Sequence, residues 1–290
     1  MRGPEIIART LSVPQVSDKF GHTWQYHSRS DRHSKVACWA VLFDLLQASD
    51  LLQRHVRAGK VTFGINRQLN DWETGKKKNL DLVVARAPGP GAAAAGEALD
   101  LVALAERYAV VLTPEEQEIL AGLPVGQAGT AGATVLVALE AKACMTAHVR
   151  ALPRLYDELT SSHSIVHGDN QHAMSVGFVM VNVANTFVSP DLNRRPITDE
   201  DPARVSGHQQ PHATERALAK IRELRRRSGP SSAGKGFDAL GVLVVSMPND
   251  GSPVTVLTGP PAPAASNEYH YDQMVGRAAH LYDSTFGHVS

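Results

Sequence analysis

Ala133-Thr134-Val135-Leu136-Val137-Ala138-Leu139-Glu140-Ala141-Lys142-Ala143-Cys144-Met145 reads as one β-strand buried on both faces, because of the seven residues before Glu140 only Thr134 is polar. A continuous apolar run of this kind belongs inside an α/β sandwich, where helices cover both faces of the sheet. Residues two apart in a strand share a face, so Glu140 and Lys142 project together while Leu139 and Ala141 point the other way. Charges beside a buried strand cost on the order of several kcal/mol unless they are paired or solvated in a cleft. The pair therefore marks a place where the sheet opens onto something.

Upstream of this strand, the apolar residues of SKVACWAVLFDLLQASDLLQRHV predict a largely buried helix over 34–57. VTFGINRQ and NLDLVVAR follow as two short strands, and the polar LNDWETGKKK between them makes a hairpin. APGPGAAAAGEA (87–98) is low in complexity and reads as a flexible loop. A helical piece comes next, and then TPEEQEIL (113–120), with Thr113 as cap and Pro114 in the first turn.

Downstream, Thr146 is expected to cap a helix, AHVRALPRLYDELTSS, whose inner side carries Val149, Leu152, Leu155, Tyr156 and Leu159. Pro153 kinks that helix or marks its start. AMSVGFVMVNVANTF (173–187) is a further buried strand, followed by a basic helix over 213–227, a strand pair around GVLVVSM and PVTVL, and a helix over about 268–283. No internal repeat is visible. The order α-β-β-insert-β-α-β predicts an α/β sandwich around a mixed sheet. One domain over 1–290 is expected, with a core at about 30–187, a flexible insert near 87–132 and a C-terminal α/β elaboration at about 210–290.

Composition narrows the class. The chain has 290 residues, zero formal charge, 43% hydrophobic and 20% charged residues, an ordinary soluble profile. Neutrality argues against a nucleic-acid coat protein, but acidic ligands and basic contacts in a site-specific protein can cancel in the sum. Cys38 and Cys144 sit in apolar segments without a CxxC partner, which predicts a reducing cytoplasm and no thiolate zinc site. MRGPEIIARTLSVPQ lacks the apolar core of a signal peptide, and no run approaches the roughly 20 residues that span a bilayer. No membrane partner is expected.

The chemistry gathers at strand ends. Asp81 begins the apolar run of Lys78-Asn79-Leu80-Asp81-Leu82-Val83-Val84, so pairing of the two strands would bring Asp81, Glu140 and Lys142 to one side. Two carboxylates suit a hard cation such as Mg²⁺, which keeps several waters and takes phosphate oxygen as a further ligand. An adjacent ammonium can stabilise charge developing on a phosphoryl group or help position a water.

An aspartate, an intervening segment, then Glu140-Ala141-Lys142 at the end of a buried strand followed by a helix resembles the PD-(D/E)XK nuclease superfamily. The layout of roughly 30–187 is similar to type II restriction endonucleases. The resemblance implies a restriction-endonuclease-like fold, with Asp81, Glu140 and Lys142 as catalytic residues. It implies metal ligation by Asp81, Glu140 and the backbone carbonyl of Ala141. Leu80 stands where the family has proline. Some members carry a further acid on the first helix, and Asp44 is the mid-helix candidate here. The implied activity is Mg²⁺-dependent cleavage of double-stranded DNA, with Mn²⁺ substituting, by a homodimeric, cytoplasmic, sequence-specific enzyme. A repair or defence nuclease without a fixed target, and a catalytically silent DNA-binding or scaffold protein, are the alternatives.

Other signals compete. Gly229-Pro-Ser-Ser-Ala-Gly234-Lys235-Gly236 imitates a phosphate-binding loop, but Gly236 replaces the hydroxyl residue and the loop follows a helix, so it reads as a connector. His163, His167 and His172 have no cysteine companion and read as loop histidines. Arg225-Arg226-Arg227 complements a helix dipole. Arg29, Arg32, His33 and Lys35, interleaved with Tyr26 and His27, are candidate DNA contacts, as are His148, Arg150 and Arg154 after the lysine.

Overall fold

The computed structural model describes residues 1–70, 75, 77–87, 100–125 and 134–289, without the side chains of 67–70 and 77. In chain order its elements are α1 (Gly3–Ser12), β1 (Val16–Ser17), β2 (Thr23–Trp24), α2 (Arg32–Ala48), α3 (Asp50–Arg57), β3 (Val61–Asn70) and β4 (Lys77–Arg86). There follow α4 (Leu101–Arg107), α5 (Pro114–Gly122), β5 (Val135–Cys144), α6 (His148–Asp169), β6 (Met174–Asn182), β7 (Thr186–Val188) and β8 (Val205–Gly207). The C-terminal third holds α7 (His212–Arg222), β9 (Ala239–Ser246), β10 (Thr255–Val256) and α8 (Tyr271–Thr285).

The architecture is α/β. Six strands form one mixed sheet in the order β10-β9-β6-β5-β4-β3. The β3–β4, β4–β5 and β9–β10 pairs are antiparallel and the β5–β6 and β6–β9 pairs are parallel, so the sheet changes sense at β5 and again at β9. The run quoted first is therefore an internal strand, and Val135 to Ala141 are all buried. β6 is buried along its whole length.

Alternation on β5 assigns its faces. Leu139 and Ala141 join the larger core, with residues of α1, α2 and α8. Cys144 joins the core on the opposite face, with Leu152, Leu155 and Leu159 of α6 and Leu218 and Ile221 of α7. Glu140 and Lys142 share the parity of Cys144 and so lie on the α6 side. Burial of these two apolar layers, at about 25 cal/mol per Å² removed from water, is the main drive for the fold.

Several expectations are corrected. The helix predicted over 34–57 is two, α2 and α3, bent by 101° at their break. Ser49 causes the break: its hydroxyl accepts from the Leu52 amide as the cap of α3 and donates to Asp283 Oδ1. Thr146 is not the cap of α6. That position is Ala147, in a left-handed conformation at φ 49°, and Pro153 lies inside the helix. His163 and His167 belong to α6, not to a loop, and both are buried.

The strand predicted to reach 187 stops at Asn182. Its buried amide donates to the carbonyls of Met145 and Met247, and its oxygen accepts from Ala184 and Met247, tying the ends of β5, β6 and β9 together. The basic helix ends at Arg222, so the three arginines lie beyond it. Arg226 pairs with Glu268 at 2.6 Å, and buried Arg227 pairs with Asp238 at 2.8 Å. The first twelve residues, for which no element was expected, include α1. The predicted loop over 88–98 lies outside the described residues.

Candidate active site

Asp81, Glu140 and Lys142 do converge. The β4–β5 ladder runs in register from Val84↔Val137 to Leu82↔Leu139. One position further, Asp81 Oδ2 accepts from the Ala141 amide at 2.9 Å. In an antiparallel ladder the N–H and C=O of one residue face the same neighbour, so the Ala141 carbonyl is also on the β4 side.

Glu140 is 2% exposed, and its Oε1 lies 2.7 Å from Lys142 Nζ and 3.3 Å from Lys78 Nζ. Its Oε2 is buried and has no hydrogen-bond partner among the described residues. A buried carboxylate oxygen left bare costs about 1–3 kcal/mol or more, which a ligand would relieve. Two further groups complete the cluster. Lys78 Nζ donates to the Glu158 carbonyl at 2.8 Å and to Ser162 Oγ, and the Glu158 carboxylate lies 3.7 Å from Lys142 and 2.6 Å from Arg154 Nε.

Charge states follow from this setting. Burial and then the charge of Glu140 push the Asp81 carboxyl up to about 6. Burial pulls Lys142 down, but Glu140 and Asp81 outweigh it and hold the ammonium above its ordinary value. Beside these two carboxylates Lys142 is held as an ammonium at neutral pH. Burial and the Lys142 charge press His33 down to about 4, so its ring is neutral. Glu158 stays below its ordinary value, because Arg154 and Lys142 outweigh its burial.

The cluster opens into a cavity of about 450 Å³ whose wall includes Arg29, His33, Asp81, Lys142, Arg154 and Glu158. Among the described residues no three His, Cys, Asp or Glu side chains gather into a metal-holding group by themselves. The donor set is two carboxylates and a carbonyl. The bare Glu140 oxygen and the Asp81 carboxyl, raised by burial and by the Glu140 charge, are oxygen donors that a hard cation, otherwise ligated by water and phosphate, would engage. The residues fit Mg²⁺ or Mn²⁺ on those grounds.

The remaining candidates divide. Asp44 is buried on α2, but its oxygens accept from the amides of Arg2 at 3.0 Å and Gly3 at 2.7 Å. It fixes the start of α1 and does not join the cluster. Arg29, 3.8 Å from Asp191, and Arg154 are exposed at the cavity rim, and Arg150 is exposed on the first turn of α6. Arg32 donates to the Thr10 carbonyl at 3.0 Å, and Lys35 pairs with Asp31 at 2.8 Å beside the Tyr108 ring. His148 is buried with its Nε2 2.8 Å from the Asn182 carbonyl. None of these three lines the cavity.

Sequence reasoning missed Lys78 and Glu158. Lys78 was hidden in a lysine run that resembles any polar hairpin, and Glu158 reads as the exposed partner of Arg154 four residues before it. No family model, curated protein or solved structure matches this chain.

Proposed function

We propose that this chain is a metal-dependent nuclease that hydrolyses phosphodiester bonds of double-stranded DNA, with the restriction-endonuclease-like arrangement its motif resembles. One observation carries the reading. Asp81 and Lys142, which lie far apart in sequence, meet in a cavity wall, and Glu140 is buried behind them with one oxygen that has no hydrogen-bond partner among the described residues.

Asp81, Glu140 and the Ala141 carbonyl are the groups that would hold the ion. When bound, Mg²⁺ or Mn²⁺ supplies Lewis-acid polarisation of the phosphoryl oxygen and a lowered pKa for its water. The chain's own residues supply the rest. Lys142, a permanent cation, stabilises the negative charge that grows on the phosphoryl oxygens during attack. Lys78, anchored to Glu158 and Ser162, shares the charge of Glu140 and keeps that carboxylate aimed at the centre. Arg29 and Arg154 at the rim are guanidinium groups suited to phosphate contact.

Fixed target recognition and a homodimer complete the proposal, since two-fold protein symmetry matches a palindromic site. The test is digestion of mixed plasmid and phage DNA with Mg²⁺, against EDTA. Discrete fragments are expected, with one cut per strand. A smear would remove sequence specificity from the reading. Intact DNA across many substrates, or undiminished cutting by Lys142→Ala, would overturn it.

A further inference from the structure

Thr146 lies just beyond β5, in the wall of the same cavity as Asp81 and Lys142. Its Oγ1 is 3.0 Å from Nε2 of His208, and Nδ1 of His208 is 2.9 Å from the Ala184 carbonyl. These two contacts fix every proton. A carbonyl only accepts, so Nδ1 carries the hydrogen and Nε2 of the neutral ring is a bare lone pair. The Thr146 hydroxyl must then donate its single hydrogen to His208.

The imidazole is held in place. His148 meets it edge-on at 4.9 Å between ring centroids, and Phe187 stacks on it at 6.1 Å. Burial also lowers the pKa of His208, in keeping with a neutral ring. A free hydroxyl rotates and can donate or accept, which makes it a poor reader of base identity. Thr146 has lost that freedom, and only its lone pairs remain to offer.

We propose that Thr146, locked by His208, is a one-way hydrogen-bond acceptor that selects an amino group on the major-groove edge of a nucleobase in this cavity. The proposal rests on the nucleic-acid reading of the site. In the major groove the amino donors are adenine N6 and cytosine N4, whereas guanine and thymine present acceptors that Thr146 repels. Four residues separate Thr146 from Lys142, a span of at most about 13 Å along a strand. At about 3.4 Å per base step, the selected base lies within about four positions of the scissile phosphate. Thr146 is a specificity-determining residue and His208 its positioning residue.

The test uses the full chain and a duplex library randomised over a central window. Ends are sequenced after cutting with Mg²⁺, and a parallel selection reads binding with no metal added. Wild type should enrich adenine or cytosine at one position near the cut, by about five- to tenfold, a single contact at the low end of base discrimination. Separate adenine and cytosine frequencies identify which amino base is chosen. Thr146→Ser should keep the preference. Thr146→Val, nearly the same shape, should erase it at that position alone. His208→Phe should let the hydroxyl rotate and admit guanine or thymine there.

A preference unchanged in Thr146→Val, a preference for guanine or thymine, or cutting without base preference would overturn the proposal and leave the nuclease reading standing. Selective binding lost in Thr146→Val, in a wild type that never cuts, would uphold the acceptor and overturn the nuclease. Neither binding nor cutting would overturn both.

Discussion

Asp81 takes up the backbone amide of Ala141, 60 residues along the chain, through its side chain at 2.9 Å. The ladder between their strands has ended one position earlier, at Leu82↔Leu139, so a carboxylate closes the sheet where a carbonyl would otherwise do so. That substitution makes the end of the sheet acidic and places it opposite Lys142.

A cation should bind there without DNA. Calorimetric titration with Mn²⁺ is expected to give one site per chain, lost in Asp81→Ala and in Glu140→Gln. Retention of the site in either variant would remove these two side chains from the ligand set.

The two lysines beside Glu140 should behave differently. Lys142→Ala is expected to lower cleavage by at least about a hundredfold, the scale of a lost electrostatic stabiliser. Lys78→Ala removes a competing cation 3.3 Å from Glu140, so Mn²⁺ affinity should rise, by about tenfold for each 1.4 kcal/mol gained. A fall in Mn²⁺ affinity for Lys78→Ala would show that its anchoring of Glu158 matters more.

Asp44 is expected to matter for stability alone. Asp44→Ala strips the amides of Arg2 and Gly3 of their acceptor, a cost of about 1–3 kcal/mol. Thermal denaturation should shift down by several degrees, while Mn²⁺ binding and the cleavage rate stay at wild-type levels. A lost metal site in this variant would restore Asp44 to the active centre.

Acid should loosen the packing of α6. Burial pushes His163 and His167 down to about 4, with cations nearby adding to the effect. In the unfolded chain a histidine titrates near 6.5, so between about 4 and 6.5 the unfolded state binds more protons. Stability from these rings is therefore present above about 6.5 and is lost as pH falls toward 4. His163 Nε2 has no partner among the described residues, so His163→Leu should flatten this slope at the cost of only the 3.5 Å contact between Nδ1 and Ser164 Oγ. Asp81 contributes with the opposite sign, losing stability as pH rises from about 4 to 6, and comparing variant with wild type cancels it. Melting temperatures across pH 4–7 give the answer, and parallel curves for the two proteins would refute it.

The sheet was legible because apolar runs and strand alternation are local signals. Val135 to Leu139 announce burial, and the parity of Glu140 and Lys142 sets their face. Element ends were less legible, since they depend on side-chain hydrogen bonds that periodicity cannot register. Ser49 splits a helix and Asn182 stops a strand by such bonds. Asp81, Glu140 and Lys142 could be read because charged residues inside or beside apolar strand runs stand out, although the strands run on past them to Arg86 and Cys144. The site's flanking groups could not: Lys78 and Glu158 join only through the packing of α6 over the sheet. For the same reason Lys35 and His148 looked like contacts for DNA. Whether a polar side chain meets Asp31, the Asn182 carbonyl or open solvent is decided in three dimensions.

The order of the chain also sets an order of assembly. The residues proposed for chemistry all lie before residue 159, yet β6, the neighbour of β5, is flanked on its other side by β9. Phe178 of β6 is met by Tyr271 of α8 at 5.6 Å. During synthesis these surfaces stay uncovered until residues beyond 271 have left the ribosome. A half-made chain would carry Asp81, Glu140 and Lys142 without a finished sheet to hold them together.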